Sequence, residues 1–203
     1  MLTLNPIPTL IGGAIVMFAG VLSTAAMKAK PVTEYQAGVP IHRTENSPLR
    51  LGLYAMGTIG LGLTASPAFA IIPFLNPSIL PNAIGITCGI FGGASLMAYN
   101  MPKDKMLSYG RLFTGSLFGL IGMQLVGLAS FLIMGPNALS LMLFRADTYL
   151  GILLFSGFIA YDTHVAIKQY ESGYADHVGV SVQFLLDFWN ILVRVIQIFI
   201  SRE

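Results

Sequence analysis

Three stretches of this chain, residues 1–27, 51–102 and 112–144, contain no Asp, Glu, Lys or Arg. Each is long enough for at least one helix of about 20 residues across a bilayer. Backbone amides in hydrocarbon must bond within their own segment, so such stretches fold as helices. Composition agrees: 55% of the 203 residues are hydrophobic and 10% are charged, against about a quarter charged in a soluble domain. The expected fold class is all-α, a polytopic membrane bundle of about six helices. Cutting at Pro, Gly and charge clusters predicts spans near 8–27, 51–74, 82–100, 110–134, 148–168 and 178–201.

The first run could be taken for a secretory signal, but it lacks a basic n-region and is long for one, so a retained first helix is expected. Between the first two spans lies the one sizeable polar segment, 28–50, with Pro31, Pro40 and Pro48. It reads as an extended surface loop, giving a division into residues 1–50 (a helix and polar loop) and 51–203 (the main bundle). The connections 28–50, 101–111 and 168–177 hold Lys28, Lys30, Arg43, Arg50, Lys103, Lys105, Arg111 and Lys168, whereas the opposite side holds Arg145 and Arg202. That asymmetry predicts those three connections on the cytoplasmic or matrix face and both termini on the other.

A net charge of +2 with no basic patch among aromatics excludes a nucleic-acid partner. Phosphate-loop, zinc-protease and nucleophile-elbow motifs are absent, so neither enzyme chemistry nor a cofactor is expected. A single cysteine, Cys88, permits no internal disulfide and reads as a small buried side chain. Gly89 with Gly93, and Gly115 with Gly119, are small residues four apart, a spacing that lets helices approach closely.

The informative residues are the ionisable groups inside spans. An ionised group in hydrocarbon costs about 3 kcal/mol or more and needs a partner. Asp162 and Asp187 fall at comparable depth on the last two spans, so an antiparallel hairpin brings them together. Two carboxylates at close range in low dielectric do not both ionise, so the pair shares a proton. Doubly ionised, it is a hard-oxygen site suited to calcium, the one metal in view. Asp187, Asn190 and Arg194 fall at i, i+3 and i+7, one face of the last helix. The plain alternative is that Arg194 neutralises Asp187 and the polar face only fixes packing. His164, two residues from Asp162, points elsewhere and reads as interfacial.

Two motifs carry a resemblance: Leu154, Phe155 and Ser156 with Tyr161, Asp162, Thr163, Ile167 and Lys168, then Leu186, Asp187, Asn190 and Arg194. In this order they resemble the Bax-inhibitor family of membrane proteins, most closely its mitochondrial branch, the growth-hormone-inducible transmembrane protein. Weaker similarity runs through Pro102, Lys103, Lys105, Gly92 and Gly93 to the Gly57–Leu63 stretch. The resemblance implies a pH-sensitive calcium leak or calcium/proton exchange gated by Asp162 and Asp187. His164 stands where the family has Gln and Leu185 where it has Tyr, and by this resemblance two early helices, with the basic residue one of them supplies, have no counterpart. The leading expectation is therefore an accessory or structural subunit, held among other subunits of a mitochondrial inner-membrane assembly of respiratory-chain or ATP-synthase type. The calcium leak is the alternative.

Overall fold

The computed structural model describes residues 6–36 and 39–202. Its elements run α1 Pro6–Ala26, β1 Lys30–Gln36, β2 Val39–Glu45, α2 Pro48–Leu75, α3 Ile79–Tyr99, α4 Lys103–Ser108, α5 Gly110–Met134, α6 Ala138–Glu171 and α7 His177–Ile200. All but α4 of these helices are long and apolar enough to cross a membrane, six among the described residues. Large apolar side chains such as Phe74, Ile133 and Leu153 are exposed, an arrangement that only lipid can solvate. The chain is an integral, polytopic helical membrane protein. The side chains of Lys103 and Lys105, which entered the topology argument, lie outside the described residues.

Two compact units divide the chain. The first holds the described residues as far as Leu80, with Ala166–Gln183. Its helices α1 and α2 meet through glycine. A Cβ on Gly13 would come 2.6 Å from the Thr64 backbone nitrogen, and one on Gly20 or Gly60 would overlap the backbone of Gly57 or Met17. Dispersion between touching backbones holds helices together where no hydrophobic drive operates. The paired glycines anticipated at Gly89, Gly93, Gly115 and Gly119 have no neighbour within 4 Å of such a Cβ. Spacing shows that a helix could approach, and only the fold shows whether one does. Gly60→Ala is therefore expected to destabilise the protein by about 1–3 kcal/mol, the usual cost of overpacking, while Gly89→Ala leaves stability unchanged. Thermal unfolding in detergent compares the two; equal effects would disprove the close approach.

The polar segment is a two-stranded hairpin rather than an extended loop. Its strands pair antiparallel from Lys30↔Glu45 to Gln36↔Val39. Val32, Thr33, Tyr35, Val39, Ile41 and Thr44 suit a pleated ribbon, and Arg43 links Glu34 at 3.1 Å with Glu45 at 3.2 Å. The hairpin is tied to the turn after α6: Tyr174 Oη lies 2.7 Å from His42 Nδ1, and Thr44 Oγ1 donates to the Ala175 carbonyl. Gly173 makes that turn possible at φ 77°, and a Cβ there would come 2.9 Å from His42 Cβ.

Arg50 anchors the same unit. Ser47 caps α2 by accepting from Arg50 N at 3.2 Å. The guanidinium, 2% exposed, donates to both Asp176 oxygens at 2.7 Å, to the Asn46 side chain and to the Thr24 carbonyl. Asp176 in turn accepts from Gly179 N at 3.0 Å, in the first turn of α7.

The second unit comprises Pro81–Val165 and Phe184–Glu203. Here α6 starts ten residues before the expected span, at Ala138 instead of 148. Gly135, at φ 70°, ends α5. Asn137 then caps α6, accepting from Ser140 N at 2.9 Å while Ser140 Oγ donates to the Asn137 carbonyl at 2.9 Å. Arg145, counted above with the charges outside the spans, lies on this helix, as does Asp147. In this unit Phe91 meets Phe184 and Phe188 edge-on, with centroids 5.4 and 6.1 Å apart, seating α3 beside α7. Gly157 admits the Phe113 ring of α5 against α6. Cys88 is exposed on α3 rather than buried.

Candidate functional site: a carboxylate pair and a buried ion pair between α6 and α7

Both aspartates singled out from the sequence belong to the second unit, Asp162 on α6 and Asp187 on α7. Each is 5% exposed, and the two carboxyls are near enough to influence each other electrostatically. Asp187 Oδ2 is also buried with no hydrogen-bond partner among the described residues. An unpaired buried carboxylate oxygen is costly in a fold that needs only packing. It is an expected feature of a group that exchanges protons or receives a cation.

Two residues on from Asp162, His164 is buried within the protein, at 1% exposure. Its Nδ1 lies 2.9 Å from the Ala160 carbonyl and its Nε2 3.4 Å from that of Met101. Thr163 Oγ1 donates to the Ile159 carbonyl at 2.7 Å and lies 3.4 Å from Ser95 Oγ of α3.

Asn190 and Arg194 do share the inward face of α7, but Arg194 does not pair with Asp187. Its partner is Asp147 of α6, a residue that the sequence did not single out. The Arg194 Nη2 stands 3.4 and 3.5 Å from the two Asp147 oxygens, and Nε donates to the Asp147 carbonyl at 3.3 Å. Arg194 Nη1 donates to Asn190 Oδ1 at 2.9 Å and to the Asn190 carbonyl at 3.1 Å. Gln124 of α5 donates to Asp147 Oδ1 at 2.9 Å. Asp147 and Arg194 are 9% and 5% exposed, so the pair is desolvated and stands only because each partner has further hydrogen bonds. The missed signal was the Gly135, Pro136, Asn137 turn, which reads as the end of one helix and the cap of the next.

Chemically, the site offers two neighbouring buried carboxyls and, two turns further along α7, a compensated ion pair with amide oxygens beside it. The described residues contain no cluster of three or more His, Cys, Asp or Glu able to hold a metal.

The sequence of the whole chain, residues 1–203, matches the family model described as "Inhibitor of apoptosis-promoting Bax1". Among curated proteins it is 32% identical to mouse Bax inhibitor 1 over 162 residues, 80% of this chain and 65% of that protein. It thus spans a little under two thirds of that relative's length. Rice Bax inhibitor 1 is 27% identical over 95% of this chain and 70% of its own, and an uncharacterized protein of Deinococcus radiodurans is 28% identical over 76% and 67%. No solved structure matches. With its full length matched and its two aspartate motifs facing each other across α6 and α7, the chain belongs to the Bax1-I, or Bax-inhibitor, family of multipass membrane proteins.

Proposed function

We propose that this protein is a pH-sensitive cation leak, conducting calcium or exchanging it for protons through the Asp162 and Asp187 pair. The observation that carries the reading is the buried meeting of these carboxyls with Asp187 Oδ2 left unpartnered. At low pH the shared proton neutralises the pair and leaves nothing to draw a cation out of water. As pH rises the proton leaves, and two carboxylates present hard oxygens of the kind calcium prefers. The role is one of transport and not of catalysis.

The test is calcium efflux from liposomes carrying the purified protein, measured across a pH series. Flux above that of empty vesicles, rising with pH, is the expected result. No flux at any pH would reject the leak.

A second reading, an accessory subunit of a larger assembly, is favoured by the open faces at Gly89, Gly93, Gly115 and Gly119, where another helix could approach closely. Its mitochondrial inner-membrane setting is part of the same proposal and rests on the resemblance drawn from the aspartate motifs alone. Native electrophoresis after mild detergent extraction separates the two: comigration with other subunits supports this reading, and a free particle supports the leak acting alone.

A further inference from the structure

On α7, Asp187, Asn190, Arg194 and Gln197 fall at i, i+3, i+7 and i+10, so one polar face continues for about 15 Å beyond the aspartate pair. That is about half the thickness of the hydrocarbon layer. The far part of this face opens on a cavity of about 200 Å³ bounded by Gln124, Asp147, Trp189, Asn190, Arg194 and Gln197. Polar side chains from three helices, α5, α6 and α7, converge there, and Thr148 Oγ1 adds a hydroxyl 3.3 Å from Gln197 Oε1. A space of that size with these donors and acceptors has room and partners for several waters. The apolar face of an ordinary packed helix has no use for it.

Arg194 is fixed where it stands. Nε, Nη1 and Nη2 all have acceptors. Phe155 lies beneath the guanidinium with its centroid 5.1 Å from Cζ. Gly151 provides the seat, since a Cβ there would overlap Arg194 Nε and reach 2.6 Å from Cδ and Cζ. The contact with Asp147 is long, at 3.4 Å, so the positive charge is compensated by a carboxylate that does not enclose it.

We propose that this chamber continues the cation path from the Asp162 and Asp187 pair and that Arg194 is its charge barrier, setting how readily divalent cations pass relative to monovalent ones. The inference rests on the leak reading above. A fixed guanidinium repels a cation in proportion to that cation's charge, and most strongly where water is scarce. Asp147 sets the height of the barrier by partial cancellation.

Two substitutions with opposite signs test it, in liposomes measured for calcium and potassium flux together. Arg194→Gln removes the barrier and leaves Asp147 as a cation ligand, so calcium flux is expected to rise about tenfold and potassium flux about threefold, because the divalent barrier is twice the monovalent one. Asp147→Asn leaves the guanidinium uncompensated, so both fluxes are expected to fall, calcium again the more. Arg194→Lys keeps the charge and should stay near the wild-type calcium to potassium ratio. If Arg194→Gln does not yield monodisperse protein, the double change Arg194→Gln with Asp147→Asn leaves no buried ion unpaired and should still raise the ratio. Equal changes for both ions, or changes of one sign in the two single variants, would overturn the barrier in favour of a packing role. Wild-type vesicles that pass no calcium at any pH overturn the leak reading and this one with it. A wild-type leak that loses its pH dependence in Asp162→Asn but is indifferent to Arg194 overturns the barrier alone.

Discussion

Asp162→Asn is expected to abolish the pH dependence of calcium efflux while leaving the protein folded and abundant. One titrating proton changes an equilibrium by up to about tenfold per pH unit, and the wild-type profile should approach that slope as the pair deprotonates. Asparagine is nearly isosteric with aspartate and its amide can donate to Asp187, so the contact survives with Asp187 ionised and with no proton to share between the two side chains. Asp187→Asn should flatten the profile equally. It carries no hidden electrostatic cost at Arg194, because the guanidinium is held by Asp147 rather than Asp187. Circular dichroism and size-exclusion behaviour of the variants should match the wild type. A variant that keeps the full pH slope would show that proton sharing between these carboxyls does not gate the path.

The other large effect concerns Arg50 and Asp176, which together join the start of α2 to the start of α7 within the first unit. Asp176→Asn leaves the buried guanidinium without a counter-charge and is expected to cost about 3 kcal/mol or more. Arg50→Met leaves the less buried partner, Asp176, whose side chain keeps 26% of its exposure to solvent and can hydrate. The cost there should be smaller, about 1–3 kcal/mol. Acid should distinguish them as well. Burial pushes the Asp176 carboxyl up, but the hydrogen bond from Arg50, that from Gly179 N, and the charges of Arg50 and His177 outweigh it, holding the group below its ordinary 3.8. A carboxyl depressed in the folded state stabilises the fold in full above its unfolded value, and that stability is lost as pH falls through the folded value. Thermal unfolding in detergent should therefore show this contribution constant above about pH 4 and declining below it. Asp176→Asn should lack that acid limb. An identical acid limb in the variant would mean that another group is responsible.

The helices themselves were legible because lipid leaves few options. A chain free of charges over such lengths must close its backbone hydrogen bonds internally, and hydrophobicity with Gly and Pro punctuation places five of the six spans to within a few residues. The exception, α6, shows why charge is an ambiguous signal. Arg145 and Asp147 both fall short of the span expected at 148–168, and Asp147 is tolerated on the helix because Arg194 and Gln124, distant in sequence, come to it. The hairpin was hidden for a related reason. Three prolines and mixed charges suggested an irregular loop, whereas strand pairing depends on a partner strand and on Tyr174 and Ala175 in a turn far along the chain.

Sequence alone determined the solvent, the helical class and the likelihood that Asp162 and Asp187 meet at similar depth, because these follow from local hydrophobicity and from counting residues along a helix. Tertiary structure decided pairing. It gave Arg194 to Asp147, Arg50 to Asp176 and the close glycine contacts to α1 and α2 instead of to α3 and α5. A charge or a glycine states only what it requires, a counter-charge or an approaching backbone. Which residue meets that requirement depends on how helices far apart in the chain are rotated and set against one another, and no local pattern encodes that.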